Sequence, residues 1–332
     1  MDDKNLLYIF ICIAISILSF LGIQFLYKIT PWMIGECSFN EKSSIFHDRM
    51  LRGLGIIYPI SITPIFFLNY NIIQFIDYLM LISLTIVGFV DDKYGLNYKI
   101  KIIFFIFISF TYNFFISFDI ENIYIFKIFL NSGLLIFLII FFNQIDGING
   151  LAIITFLITF LFINVLNNSI LLYMPLIFFS LPYLYYNLQG KIGIQGDTGS
   201  YFLAGIVYIS FQNNHDNDLN ILILIFFIFP LLLDLVSTTI VKIYFKQNIF
   251  AGHKDNIYQK IVTHTKNHLI STSFFSIIQI MFGLITIFLF RNFNFKTFTI
   301  IMMLIILISF ILALYTSFLI QKNKIFRNNN ET

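Results

Sequence analysis

The sequence predicts an all-α, polytopic membrane protein of about ten to eleven transmembrane helices, and three observations carry that reading. Hydrophobic residues make up 58% of the 332-residue chain and charged residues only 11%, whereas a soluble domain carries about 45–50% and about 25%. Mean hydropathy is +0.87. Apolar runs of span length recur from end to end, without the alternation of strands. The basic residues gather in every second loop. A water-soluble enzyme and a disordered chain are thereby excluded. The formal charge of +3 is too small to suggest nucleic acid as a partner. Cys12 lies in an apolar run and Cys37 in a polar loop, so neither a disulfide framework nor a zinc site is implied.

The first run, 5–27, follows Asp2 and Asp3, lacks a small-residue cleavage site and leads into a basic loop, so it reads as a span and not a signal peptide. Further runs fall at 54–69, 72–90, 102–118, 122–142, 151–166 and 168–186. The eighth, 201–212, is short and reads as a span or a partly buried segment. The last three are 219–241, 269–290 and 297–320. In lipid such runs satisfy their backbone hydrogen bonds as helices. Placing the N-terminus outside puts sixteen of the 20 Lys and Arg residues in the inside segments, which predicts a periplasmic N-terminus and a cytoplasmic C-terminus. The outside loops are short and bland. The inside loops hold the unusual polar residues, so an active site is expected on the cytoplasmic face of the cell inner (plasma) membrane.

Three acidic clusters fall on that face. Asp91-Asp92 closes the third run, with Lys93, Lys99 and Lys101 behind it. Adjacent carboxylates repel and call for a cation or a proton. Asn143-Gln144-Ile145-Asp146-Gly147-Ile148-Asn149-Gly150 joins the fifth and sixth runs, with Asn and Asp as oxygen donors and glycines that allow close approach. Gly196-Asp197-Thr198-Gly199-Ser200, after Asn187 and Lys191, stands at a helix start, where backbone amides can meet phosphate or Asp197 a metal. Each cluster alone is equally well a capped turn. Their concentration on the basic face favours magnesium over zinc, because the donors are hard oxygens, and magnesium beside lysines suits a pyrophosphate-bearing substrate. The loops with Lys42 and Arg52 and with His253 and Lys254 are ambiguous by themselves.

Together these residues resemble the polyprenyl-phosphate N-acetylhexosamine-1-phosphate transferase family (glycosyltransferase family 4), in motif order and spacing over about 40–260. Asp91-Asp92 with Gly95-Leu96 and Lys101 resembles the paired-aspartate motif. Asn143 to Ala152 resembles Asn-x-x-Asp-Gly-x-x-Gly-Leu, and Asn187, Lys191 and Gly196 to Ser200 resemble the motif whose aspartate binds magnesium. His253-Lys254 with Tyr258-Gln259-Lys260, and Asn40 to Ser44 with Arg52-Gly53, are similar to segments of the branch that starts O-antigen and related surface glycans. Asp234 is similar to that branch's aspartate after a proline. The chain departs from the pattern at Ile140, Asn149, Asn256 and the spacing of Lys191.

The resemblance implies one integral membrane transferase domain over 1–332, its active site formed by loops at about 28–53, 91–101, 143–150, 187–200 and 242–268. It implies transfer of HexNAc-1-phosphate from a UDP-N-acetylhexosamine to undecaprenyl phosphate within the lipid bilayer, releasing UMP, as the first membrane step of surface-polysaccharide (O-antigen-like) synthesis, in lipopolysaccharide biosynthesis. Asp91, Asp92, Asp146 and Lys101 are the implied catalytic residues. Asn143, Asn187, Lys191, His253, Lys254, Lys42 and Arg52 are implied in substrate binding, and Asp197 with Asp92 in holding Mg2+, with Mn2+ as the substitute ion. A homodimer is left open. The peptidoglycan branch, a phospho-MurNAc-pentapeptide transferase, is the nearest alternative. An intramembrane aspartyl protease predicts two carboxylates and no metal; a cation-coupled transporter predicts ionisable groups at mid-membrane and repeated halves. Asp91, Asp92, Asp146 and Asp197 with interleaved lysines are too many charges for the first, and the second does not fit charges at span ends, with Asp234 the only one of the named acids inside a span and no internal repeat.

Overall fold

The computed structural model describes residues 3–29, 34–36, 49–51, 53–68, 74–117, 125–167, 174–189, 195–213, 221–248 and 254–330. Wherever these cover an apolar run, the run is helical. The chain packs as two compact units.

The first unit opens with α1 (Asp3–Ile29). A two-stranded antiparallel hairpin, β1 (Ile34–Glu36) and β2 (Arg49–Leu51), follows and adds a small strand element to the expected all-α fold. A 3₁₀ turn (Leu54–Ile56) leads into α2 (Ile57–Leu68). Then come α3 (Phe75–Tyr94), α4 (Tyr98–Ser117), α5 (Ile125–Ile145) and α6 (Leu151–Leu166). The run expected as one span over 168–186 divides in its described part into α7 (Pro175–Phe178) and α8 (Leu181–Gln189). Proline supplies the reason. Pro182 has no N–H to give an unbroken helix and stands in the first turn of α8, where none is needed; Pro175 likewise opens α7.

α9 (Gly196–Gln212) holds the short eighth run and is the centre of the unit. Every residue from Thr198 to Phe211 is buried, against α3, α5, α6 and the 3₁₀ turn. Its shortness now has a cause: a helix walled by protein has no need to match the bilayer. Its 17 residues extend about 25 Å. α3 turns one stripe toward it, because Leu81, Leu84 and Gly88 recur at helical spacing. A Cβ on Gly205 of α9 would touch Leu81 and Leu84, and a Cβ on Gly88 would strike the Thr198 backbone. The two helices thus meet at backbone contact along Gly88.

The second unit contains α10 (Ile221–Tyr244), α11 (Ile257–Thr265), α12 (His268–Asn292) and α13 (Phe295–Asn330). α10 packs against α12 and α13. Phe229, Leu233 and Ala313 form a buried cluster there, and Ser237 meets Ser317 at 3.0 Å. Pro230 withholds one hydrogen bond from α10, and in the same turn Gln279 of α12 donates to the Phe227 carbonyl at 3.0 Å.

Among the described residues, α4, α5, α10, α12 and α13 are long and apolar enough to cross a membrane. Their outward faces are apolar, with Phe107, Phe129, Ile277, Leu304 and Ile308 all widely exposed. In water such surfaces would aggregate. The chain is a polytopic membrane protein.

Candidate active site

The site lies in the first unit, where the C-terminal end of α3, the start of α4, the end of α5 and the start of α9 converge. Asp91 and Asp92 sit in the last turn of α3 on different faces, about 100° apart, as consecutive helical residues must be. Asp91 is directed toward α4, where Lys101 pairs with its Oδ2. The same Lys101 Nζ lies 3.2 Å from Asp197 Oδ2. One lysine therefore bridges carboxylates from α3 and α9.

Asp197 occupies the first turn of α9. Its Oδ1 accepts from Asn143 Nδ2 at 2.6 Å, and its Oδ2 accepts from Tyr201 Oη at 3.0 Å. Tyr201 stands one helical turn beyond Asp197, so the two share a face. The side chain of Asp197 is 24% exposed while that of Asp91 is 1% exposed. Of the two carboxylates that share Lys101, Asp197 is the one a ligand can reach, and Asp91 sits behind the lysine.

Asp92 is held differently. Its Oδ1 accepts from the Asp197 backbone N–H at 3.0 Å; its Oδ2 accepts from the Thr198 N–H at 3.0 Å and from Thr198 Oγ1 at 2.6 Å. All three donors belong to the N-terminus of α9. Gly196 has φ +69°, and a Cβ there would collide with the Asp92 carboxylate, so glycine is required on both counts.

Asp146 lies in the turn between α5 and α6 and accepts from Gln195 Nε2 at 2.7 Å. Gln195, fully buried, also takes a hydrogen bond from Tyr58 Oη at 3.2 Å. Asn187 turns its Oδ1 to the Gly150 N–H and its Nδ2 to Tyr183 Oη, 3.1 Å away; its contacts pin the 146–150 turn to α8. In the second unit, Asp234 accepts from the Ile257 and Tyr258 N–H groups at 2.9 and 3.0 Å and so caps α11. Asp255 pairs with Lys242 at 3.7 Å and Lys260 at 3.3 Å. Lys254 is partly buried, and burial lowers its pKa. The expected residues Lys42, Arg52, Lys191 and His253 lie outside the described residues.

Crowded acids at span ends are reluctant to ionise. Burial, then the hydrogen bond and charge of Asp197, raises Asp91 to about 6 against the pull of Lys101. Burial and the charge of Asp197 push the Asp92 pKa upward, while the three donors of α9 favour its ionised form. Burial holds Asp146 well above the carboxylate range; Gln195 opposes the shift, and the charges of Asp197 and Asp92 add to it. Among the described residues no three acidic, His or Cys side chains form a ready-made metal cage. The donor set is nevertheless hard and anionic, with exposed Asp197 in its midst, and fits a magnesium ion that keeps several waters.

Residues 74–212 match the family model described as Glycosyl transferase family 4. The chain carries a glycosyl transferase family 4 domain. No curated protein matches the chain. The matched segment runs from the start of α3 to the end of α9 and so contains Asp91, Asp92, Lys101, Asn143, Asp146 and Asp197. The family is that of the polyprenyl-phosphate HexNAc-1-phosphate transferases, which transfer a sugar-1-phosphate from a UDP-sugar to a polyprenyl phosphate.

Two participants escaped the sequence reading. Tyr201 could have been found, because an aromatic four residues after a helix-start aspartate shares its face. Gln195, adjacent to Gly196-Asp197, gives no signal of its own; only the fold brings it to Asp146 and Tyr58.

Proposed function

We propose that the protein transfers N-acetylhexosamine-1-phosphate from a UDP-sugar to undecaprenyl phosphate, releasing UMP, and so begins synthesis of an O-antigen-like surface polysaccharide at the cytoplasmic face of the inner membrane. One observation supports this above the others. Asp197, partly exposed, shares Lys101 with buried Asp91 and accepts a hydrogen bond from Asn143.

Asp197, with Asp146 and the side-chain oxygen of Asn143, would hold the magnesium ion, which supplies charge neutralisation across the pyrophosphate being cleaved. Lys101 is drawn between two carboxylates at rest and is placed to turn toward a phosphate oxygen. The lipid phosphate is the nucleophile. A phosphomonoester has a second pKa of about 6, so it attacks near neutral pH without a strong base, and positioning dominates the barrier. Asp91, buried and reluctant to ionise, is suited to orienting the lipid phosphate or accepting its residual proton. Tyr201 and Asn143 fix the Asp197 carboxylate from either side, which limits its movement as substrate charge arrives.

The test is incubation of the purified protein with undecaprenyl phosphate, magnesium and a panel of UDP-HexNAc sugars. The expected result is UMP release and a lipid-linked sugar diphosphate with at least one donor, each requiring both lipid and metal. Folded protein that releases no UMP with any donor overturns the proposal.

A further inference from the structure

We infer that Asp92 is a positioning residue, one that sets the N-terminus of α9 and through it the Asp197 carboxylate, and that it is neither a metal ligand nor a proton acceptor. The first turn of a helix leaves backbone N–H groups without intrahelical partners, and a side chain just ahead of the helix ordinarily accepts from them. Here Gln195 stands in that place and makes no cap; its amide is engaged with Asp146 and Tyr58. Asp92 serves instead from α3, 105 residues away along the chain, with both oxygens used on three donors. One of those donors is the backbone N–H of Asp197 itself. A carboxylate is also the favoured charge at the positive end of a helix.

The surrounding glycines make the arrangement stiff. Gly88 is one turn before Asp92 on the same face of α3, and its lack of a side chain lets α3 press against the backbone at Thr198. Gly196 leaves room for the carboxylate itself. With α3 seated on α9 and Asp92 closing the last turn, Asp197 is aimed into the cluster by its main chain as well as by Asn143 and Tyr201. A displacement of about 1 Å at such a site is worth about 100-fold in rate.

Asparagine separates this role from a direct one. Asn caps helices about as well as Asp; at position 92 it keeps one accepting oxygen facing α9, turns an NH2 group toward the place of the other, and loses the negative charge. Asp92→Asn and Asp92→Ala are compared with wild type by UMP release and by hydrogen exchange of the amides at 197 and 198. The kinetic arm rests on the proposed transferase reading; the exchange arm does not. The expected result for Asp92→Ala is a kcat lowered about 100-fold, donor KM little changed, and fast exchange at both amides. Asp92→Asn, with one accepting oxygen in place of two, is expected to recover part of the rate and protection at one of the two amides. An asparagine variant as inactive as the alanine variant, with the amides still protected, overturns the inference. Unaltered exchange at 197 and 198 in the alanine variant overturns it equally. Wild-type protein that releases no UMP removes the transferase reading and leaves the exchange result to decide the role of Asp92.

Discussion

Four acids in this site have four different surroundings, and those surroundings divide their roles. Asp91 is closed off and paired, Asp92 faces backbone donors, Asp146 meets a buried amide, and Asp197, partly exposed, has side chains on both of its oxygens. Tyr201 tests the idea that Asp197 needs to be held. Tyr201→Phe keeps the ring, which packs edge-on against Phe105, and removes only the hydroxyl. A hydrogen bond to a charged group is worth about 1.5–3 kcal/mol. UMP release by that variant should fall about tenfold or more, with thermal stability in detergent little altered. The sequence showed the acids but not their partners. Asp92 and Thr198 are far apart along the chain, and nothing local at Asp91-Asp92 reveals which carboxylate faces a helix end and which faces a lysine.

At the scale of elements, the central fact is how closely α3 meets α9. A Cβ at Gly88 would fall on the Thr198 backbone, which has no rotamer with which to yield, whereas a Cβ at Gly133 of α5 would meet nothing within 4 Å. Gly88→Ala should therefore lower the unfolding temperature in detergent, by the equivalent of about 1–3 kcal/mol or more for overpacking. Gly133→Ala should leave it unchanged or raise it, since alanine is favoured over glycine within a helix by about 1 kcal/mol. Equal effects of the two changes would contradict the packing described. Helix positions were legible in the sequence because apolar length alone dictates them in a membrane. The break at Pro182 is marked by the proline alone, since the apolar run 168–186 continues through it without a change in hydropathy. The hairpin of Ile34–Glu36 and Arg49–Leu51 was not, since three-residue strands carry no periodicity.

For the whole molecule, sequence composition alone established a membrane protein, and the charge asymmetry yields an orientation that can be tested directly. Asn97, between α3 and α4, and Asn294, between α12 and α13, are both exposed. The proposed topology places the first in the cytoplasm and the second outside. With Cys12 and Cys37 first replaced by serine, a membrane-impermeant thiol reagent added to intact cells should label Asn294→Cys and spare Asn97→Cys. The reverse pattern would invert the proposed orientation and place the acidic cluster on the wrong face for a nucleotide sugar.

The account turns on Asp197 as the point where the donor's pyrophosphate meets the protein. The most direct measurement is UMP release by purified wild-type protein and by Asp197→Asn, in undecaprenyl phosphate and UDP-HexNAc, across a magnesium titration that includes chelator. Wild-type activity should require magnesium, and the variant should be slower by about 100-fold or more at every concentration. Near-wild-type turnover by Asp197→Asn would contradict the assignment.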